Sequence, residues 1–327
     1  MIDGFGRNIN YLRVSVTDRC NLRCRYCMPE DGVSHIQHTD VLRLEELALL
    51  IRVAASIGIK KVRITGGEPL VRKNVTKLVR DVGAIKSIDD VALTTNGILF
   101  QELAEQLKDA GLKRVNFSLD TLRDDRFRYI TRSEASVSAV RKAIDLALKL
   151  GLNPVKLNVV VIRGFNDDEL LDFAHLAWAY PLHVRFIEFM PVGDLLFWER
   201  QRLVSMAEMK ELLEQRYEMI PGKRVYGNGP ARYYSLVGGE GSIGFINPIS
   251  NHFCGECNRL RLTCGGMLRA CLYDSHESDL KAALRSGADE DALRQIFIDT
   301  INAKPEKHKM ETGWGSENRR RMYQIGG

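Results

Sequence analysis

Seven cysteines fall in two groups, Cys20, Cys24 and Cys27, then Cys254, Cys257, Cys264 and Cys271, with none between. An odd number, tight spacing and no secretion signal favour metal ligation over disulfides. In the run Arg19-Cys20-Asn21-Leu22-Arg23-Cys24-Arg25-Tyr26-Cys27, three thiolates suit a 4Fe-4S cluster with one iron left open to chelate a small molecule. A closed structural zinc site needs four ligands, and His35 or His38 is the candidate fourth in that alternative. The second group carries a C-x2-C pair and, after thirteen intervening residues, Cys271. Cys264 falls inside it, before Gly265-Gly266, in an expected turn between two strands. As a fourth ligand it would close the cluster or make a four-thiolate zinc site. A hairpin tip points away from its strand ends, which argues against that role.

A rigid frame must present these thiols. From Tyr11 to Tyr217, short β-branched runs alternate with helical periodicity, the pattern of β/α units on a parallel sheet. Six strands are expected, at 12–17, 61–65, 91–95, 114–119, 155–161 and 184–189. Leu44, Leu47, Ile51 and Ala54 share one helix face, and Val137, Val140, Ile144 and Leu148 another. Asp167 is the expected N-cap of the fifth helix, and Gly111 and Gly151 the stops of the third and fourth. After residue 217 the rhythm changes to short strands at 233–236, 242–246, 259–263 and 267–270, split by Gly and Pro, then a helix over 289–303. The expected architecture is therefore α/β: an incomplete six-unit β/α barrel over residues 1–225, with a small C-terminal α+β extension packed on it over 226–327.

Strand parity adds chemistry to this frame, because side chains alternate between faces. Val62 and Ile64 oppose Arg63 and Thr65, and Leu12, Val14 and Val16 oppose Arg13, Ser15 and Thr17. Val155, Leu157 and Val159 likewise oppose Lys156 and Asn158. With the apolar faces on the helices, the interior of the sheet is polar and cationic. An ordinary eight-stranded barrel fills its interior with branched apolar side chains, so a polar lumen implies a bound ligand. A one-sided antiparallel sheet facing water is the alternative, and the βα repetition opposes it.

The C-x3-C-x2-C run with Tyr26 before its last Cys, followed one β/α unit later by Gly66-Gly67-Glu68-Pro69, resembles the radical S-adenosylmethionine superfamily. The resemblance implies that the Gly66-Gly67-Glu68 stretch holds the methionyl amino group, with glycines permitting close backbone approach. In that superfamily one electron enters the cluster, the sulfonium is cleaved to methionine and a 5′-deoxyadenosyl radical, and the radical takes a substrate hydrogen. The cofactor does the hard chemistry and the protein orients it.

The second run, Cys254-Gly255-Glu256-Cys257-Asn258-Arg259-Leu260-Arg261-Leu262 with Cys271, is similar to the GTP 3′,8-cyclase family (molybdenum cofactor biosynthesis protein A). That likeness extends from the first strand to the final Gly-Gly. It implies a second 4Fe-4S cluster on Cys254, Cys257 and Cys271, its open iron toward guanine. It places S-adenosylmethionine on Tyr26, Gly67, Ser118 and Met190, and GTP on Arg13, Arg63, Thr94, Lys156, Arg259, Leu260 and Arg261. Gly326 and Gly327 enter the active site in the family and are expected to position GTP without ligating metal. The implied reaction removes hydrogen from the ribose 3′ carbon, which then attacks carbon 8 of guanine, giving 3′,8-cyclo-7,8-dihydroguanosine triphosphate for molybdenum cofactor synthesis. A cyclic pyranopterin monophosphate synthase would consume it downstream. The electron donor is not identifiable, a homodimer is left open, and no conventional acid or base residue stands out. Cys264 departs from the family pattern.

Composition agrees with an ordinary globular enzyme. The net charge of +5, from 47 Lys and Arg against 42 Asp and Glu, is far from that of a nucleic-acid-binding tail. No stretch reaches the eighteen or so unbroken apolar residues a membrane span needs, so a cytoplasmic protein is expected. Two rival readings remain. A peptide-maturing radical enzyme with an auxiliary cluster would usually carry more C-terminal cysteines. A non-catalytic iron-sulfur or RNA-binding protein would lack the Gly66-Gly67-Glu68-Pro69 element and interleave aromatics with its basic face.

Overall fold

The computed structural model describes residues 1–32, 36–192, 197–222, 229–308 and 320–326. His35, Gly327 and the expected domain boundary at 225/226 lie outside them. Six strands come first: β1 (Tyr11–Ser15), β2 (Lys61–Thr65), β3 (Asp90–Thr95), β4 (Arg114–Ser118), β5 (Val155–Val161) and β6 (Leu182–Glu188). Between and after them run α1 (Leu44–Ser56), α2 (Val75–Gly83), α3 (Phe100–Asp109), α4 (Asp124–Thr131), α5 (Val137–Lys149), α6 (Leu170–Ala179) and α7 (Met206–Glu214). The chain continues through β7 (Met219–Pro221), β8 (Arg232–Leu236), β9 (Ser242–Ile246), β10 (Arg259–Leu262), β11 (Met267–Arg269), β12 (Ser278–Asp279), α8 (Leu280–Arg285) and α9 (Glu290–Asn302).

The strand order is β12-β11-β10-β1-β2-β3-β4-β5-β6-β9-β8-β7. This is an incomplete β/α barrel, with one difference from expectation: the C-terminal strands join its sheet. β10 pairs parallel with β1, and β9 pairs parallel with β6. Edge strands carry unpaired N–H and C=O groups, and the extension satisfies them on both sides. β7 and β12 span three and two residues, too few for alternation to reveal.

Parity holds as expected. Leu12, Val14, Val62, Ile64, Val115, Phe117, Leu157, Val159, Val184 and Phe186 are buried with Leu47, Ile51, Val140 and Ile144 in one core. Gly111 (φ 98°) and Gly151 (φ 65°) follow the C-caps of α3 and α5. Both sit in the left-handed region that glycine adopts without penalty. Asp167 does not cap α6. It begins a 3-10 turn, and its Oδ1 accepts from the N–H of Gly164 at 2.9 Å. Among the described residues no helix is long and apolar enough to cross a membrane.

Candidate active site

Strand register places arginines side by side on the inner face: Arg13 of β1 is aligned with Arg63 of β2 and with Arg261 of β10. They line a cavity of about 320 Å³ together with Thr94, Ser118, Met190 and Arg259. Arg63 donates to the hydroxyl of Thr94 at 3.2 Å and to the Tyr11 hydroxyl. Burial pushes Arg63 and Arg261 down to about 10 and Arg13 well below its ordinary value, with Arg261 itself adding to the pressure on Arg13. Three arginines aligned in register on one cavity face, each depressed by burial, suit a polyanionic ligand. Arg185 Nε and the side-chain oxygens of Asn116 and Asn158 also line this space without a hydrogen-bond partner among the described residues. Buried polar atoms left in that state mark a ligand position.

Cys20, Cys24 and Cys27, on the loop after β1, form one wall of the same cavity, and Cys254, Cys257 and Cys271 form another. A single turn brings Cys24 and Cys27 together, the N–H of Cys27 donating to the Cys24 carbonyl at 2.9 Å. The N–H of Cys257 makes the equivalent bond to the Cys254 carbonyl at 3.1 Å. Burial pushes Cys20 up to about 11 and Cys27 up to about 12. To ionise, these thiols need a bound cationic group that offsets their desolvation. Burial acts on Cys257 as well, but Arg259 and Lys304 outweigh it and hold that thiol at about 6. Among the described residues no three His, Cys, Asp or Glu side chains converge to hold a single metal ion. Three thiols on one wall of the cavity would suit an iron-sulfur cluster. His38 is exposed on a short 3-10 turn.

Gly66 and Gly67 lie under the cysteine loop. A Cβ at Gly66 would meet the Thr17 carbonyl at 2.7 Å, and one at Gly67 would overlap the carbonyl of Arg19. The N–H groups of Gly67 and Glu68 donate to the carbonyls of Thr17 and Arg19 at 2.7 and 2.8 Å. The glycines' close approach is therefore first to the loop that carries the cysteines. Glu68 is pushed up to about 7 by burial, against hydrogen bonds from Asn96 N–H, Leu70 N–H and Thr95. Its carboxylate fixes the turn after β3. Tyr26 donates to Asp120 at 2.7 Å, and Asp120 also accepts from the N–H of Val160 at 2.8 Å.

The C-terminal tail returns to the cavity, which Met322 and Tyr323 help to line. Gly326 is buried at φ 74°, where an added Cβ would meet Thr65 Oγ1 at 2.5 Å. Arg261 donates to its carbonyl at 2.9 Å.

Two family models match this chain: Radical SAM superfamily over residues 14–177 and Molybdenum Cofactor Synthesis C over 182–310. A GTP 3′,8-cyclase of Syntrophomonas wolfei subsp. wolfei is 60% identical over 327 residues, covering 100% of both chains. The GTP 3′,8-cyclase of Moorella thermoacetica is 56% identical with the same coverage. The chain belongs to the GTP 3′,8-cyclase family. It is accordingly a radical S-adenosylmethionine enzyme, with iron-sulfur clusters and S-adenosylmethionine as cofactors. Streptococcus suis SuiB bound to precursor peptide SuiA shares the fold at 12% identity and TM-score 0.63, covering 96% of this chain and 76% of that one.

Within this cyclase-family site, two residues expected to bind substrate stand elsewhere. Lys156 is buried on the inner face one row below Asn158, its Nζ 5.7 Å from the centroid of the Tyr233 ring, and does not line the cavity. Leu260 is 0% exposed, on the core face of β10 opposite Arg259 and Arg261. Any contact it makes with substrate is through its backbone. Cys264 is buried at the β10–β11 turn, off the cavity wall, and burial followed by Asp18 pushes its thiol up to about 11. Sequence reasoning missed Arg185, although it obeys the same parity: Val184 and Phe186 face the core and Arg185 the cavity.

Proposed function

We propose that this cavity cyclises GTP to 3′,8-cyclo-7,8-dihydroguanosine triphosphate, the first step of molybdenum cofactor synthesis, in the cytoplasm. The observation that carries the reading is one cavity with a three-cysteine wall at each side and an aligned Arg13–Arg63–Arg261 row between them. When bound, the clusters and S-adenosylmethionine supply the radical chemistry that removes a substrate hydrogen. Every remaining task belongs to the chain. Cys20, Cys24 and Cys27 would hold the first 4Fe-4S cluster, and Tyr26, Gly66, Gly67, Ser118 and Met190 would cradle S-adenosylmethionine. Glu68 would support that cradle by fixing the neighbouring turn after β3.

Arg13, Arg63, Thr94, Arg259 and Arg261 would grip the triphosphate and base, with Lys156 adding charge from the row below. Cys254, Cys257 and Cys271 would hold the second cluster, and Gly326 would close the site behind the nucleotide. We assign the S-adenosylmethionine chemistry to residues 1–225 and the second cluster to 226–327. An electron donor must supply the first cluster, and a cyclic pyranopterin monophosphate synthase would take the product. Incubating the anaerobic protein with reductant, S-adenosylmethionine and GTP tests this: 5′-deoxyadenosine should accumulate only when GTP is present. Formation triggered by a peptide instead would favour a peptide-maturing enzyme.

A further inference from the structure

Lys304 follows directly after the C-cap of α9 and is 3% exposed. Its ammonium donates to two main-chain carbonyls, that of Arg259 at 3.0 Å and, closer still, that of Ala270. Arg259 is two residues beyond Cys257, and Ala270 immediately precedes Cys271. The third cysteine is tied to the same stretch by Arg7. Ion-paired with Asp3, its guanidinium donates to the Cys254 carbonyl at 3.0 Å and to those of Glu306 and Pro305 at 2.9 and 2.8 Å. All three segments of the second cysteine wall thus converge on residues 304–306.

The two cations differ in how their charge is met. Arg7 has the Asp3 carboxylate, whereas the hydrogen-bond partners of Lys304 are carbonyls. A buried ammonium is costly unless a negative charge offsets it. Those two carbonyls hold the ammonium beside Cys257 and Cys271, whose thiolates would offset its charge once a cluster is bound. Reducing a thiolate-bound cluster adds negative charge, so a fixed cation beside it stabilises the reduced state and raises the potential.

We propose that Lys304 is a positioning residue for the second cluster and that its buried charge holds that cluster's reduction potential up. The proposal rests on the reading of Cys254, Cys257 and Cys271 as cluster ligands.

A full-length chain with Cys20, Cys24 and Cys27 all changed to Ala isolates that cluster and provides the parent for Lys304→Met and Lys304→Arg. The parent should bind about four irons; a parent without iron refutes the ligand reading before Lys304 is touched. In a spectroscopic redox titration, Lys304→Met should titrate at a more negative potential than the parent or lose its iron, and Lys304→Arg should restore both. An unchanged potential with iron retained in Lys304→Met overturns the proposal. So does loss of iron from both variants, which would reduce Lys304 to a matter of fit.

Discussion

Arg261 Nη1 donates to the carbonyl oxygen of Gly326 at 2.9 Å and, more weakly, to that of Ile325 at 3.3 Å. One arginine of the cationic row is thus also the anchor of the C-terminal tail. Arg261→Ala should leave both clusters assembled and lower GTP affinity by about tenfold to a hundredfold, as expected when a charge-assisted contact of about 1.5–3 kcal/mol is lost. Equilibrium binding and iron analysis check this together. Unchanged affinity with lost iron would make the strand structural.

Gly326→Ala separates the tail from the clusters. The left-handed backbone costs a non-glycine residue about 1–2 kcal/mol, and the new Cβ would press on Thr65 Oγ1 at 2.5 Å. Iron content should stay the same while cyclised product falls at least about tenfold, equivalent to about 1.4 kcal/mol. The ratio of 5′-deoxyadenosine to product should therefore rise. An unchanged ratio would mean that the tail does not position the nucleotide.

The cysteines divide clearly. Cys24→Ala should remove half of about eight irons per chain and all cleavage of S-adenosylmethionine. Cys264→Ala should keep all of the iron and lose no more than about 1 kcal/mol of stability from a small buried void, read by chemical denaturation. Loss of half the iron from Cys264→Ala would make it a ligand.

Burial, with Arg185, Arg114 and Arg63 pressing from neighbouring strands and Asp90 opposing them, holds Lys156 down to about 5. Between that value and the ordinary 10.5, the unfolded chain binds a proton the free fold does not, so ligand-free stability should climb with pH in this window. A bound triphosphate reverses the electrostatic balance and restores the proton. GTP binding near neutral pH should therefore take up protons, and affinity should rise as pH falls. Calorimetry in two buffers of different ionisation heat measures the uptake. Lys156→Met should abolish it, even with neighbouring His183 also pushed down, to about 4. No uptake in the unaltered protein would mean that Lys156 is already charged.

Alternation made the inner face legible because it depends only on a period of two: Arg13 and Arg63 stand where it puts them. It could not give strand stagger, which sets height along the lumen and left Lys156 one row beneath the cavity. Nor could it foresee that β9 and β10 would pair with β6 and β1, since those contacts join residues far apart in sequence. Asp167 failed as a cap because its carboxylate serves the Gly164 turn. Leu260 shows the limit of a contiguous motif, because on a strand the middle residue of three faces the other way.

GTP carrying deuterium at the ribose 3′ position gives the sharpest test of the proposed reaction. Incubated anaerobically with reductant and S-adenosylmethionine, the protein should yield 5′-deoxyadenosine that carries the deuterium, together with the cyclised nucleotide. Recovery of unlabelled 5′-deoxyadenosine from that mixture would contradict hydrogen removal at the 3′ carbon.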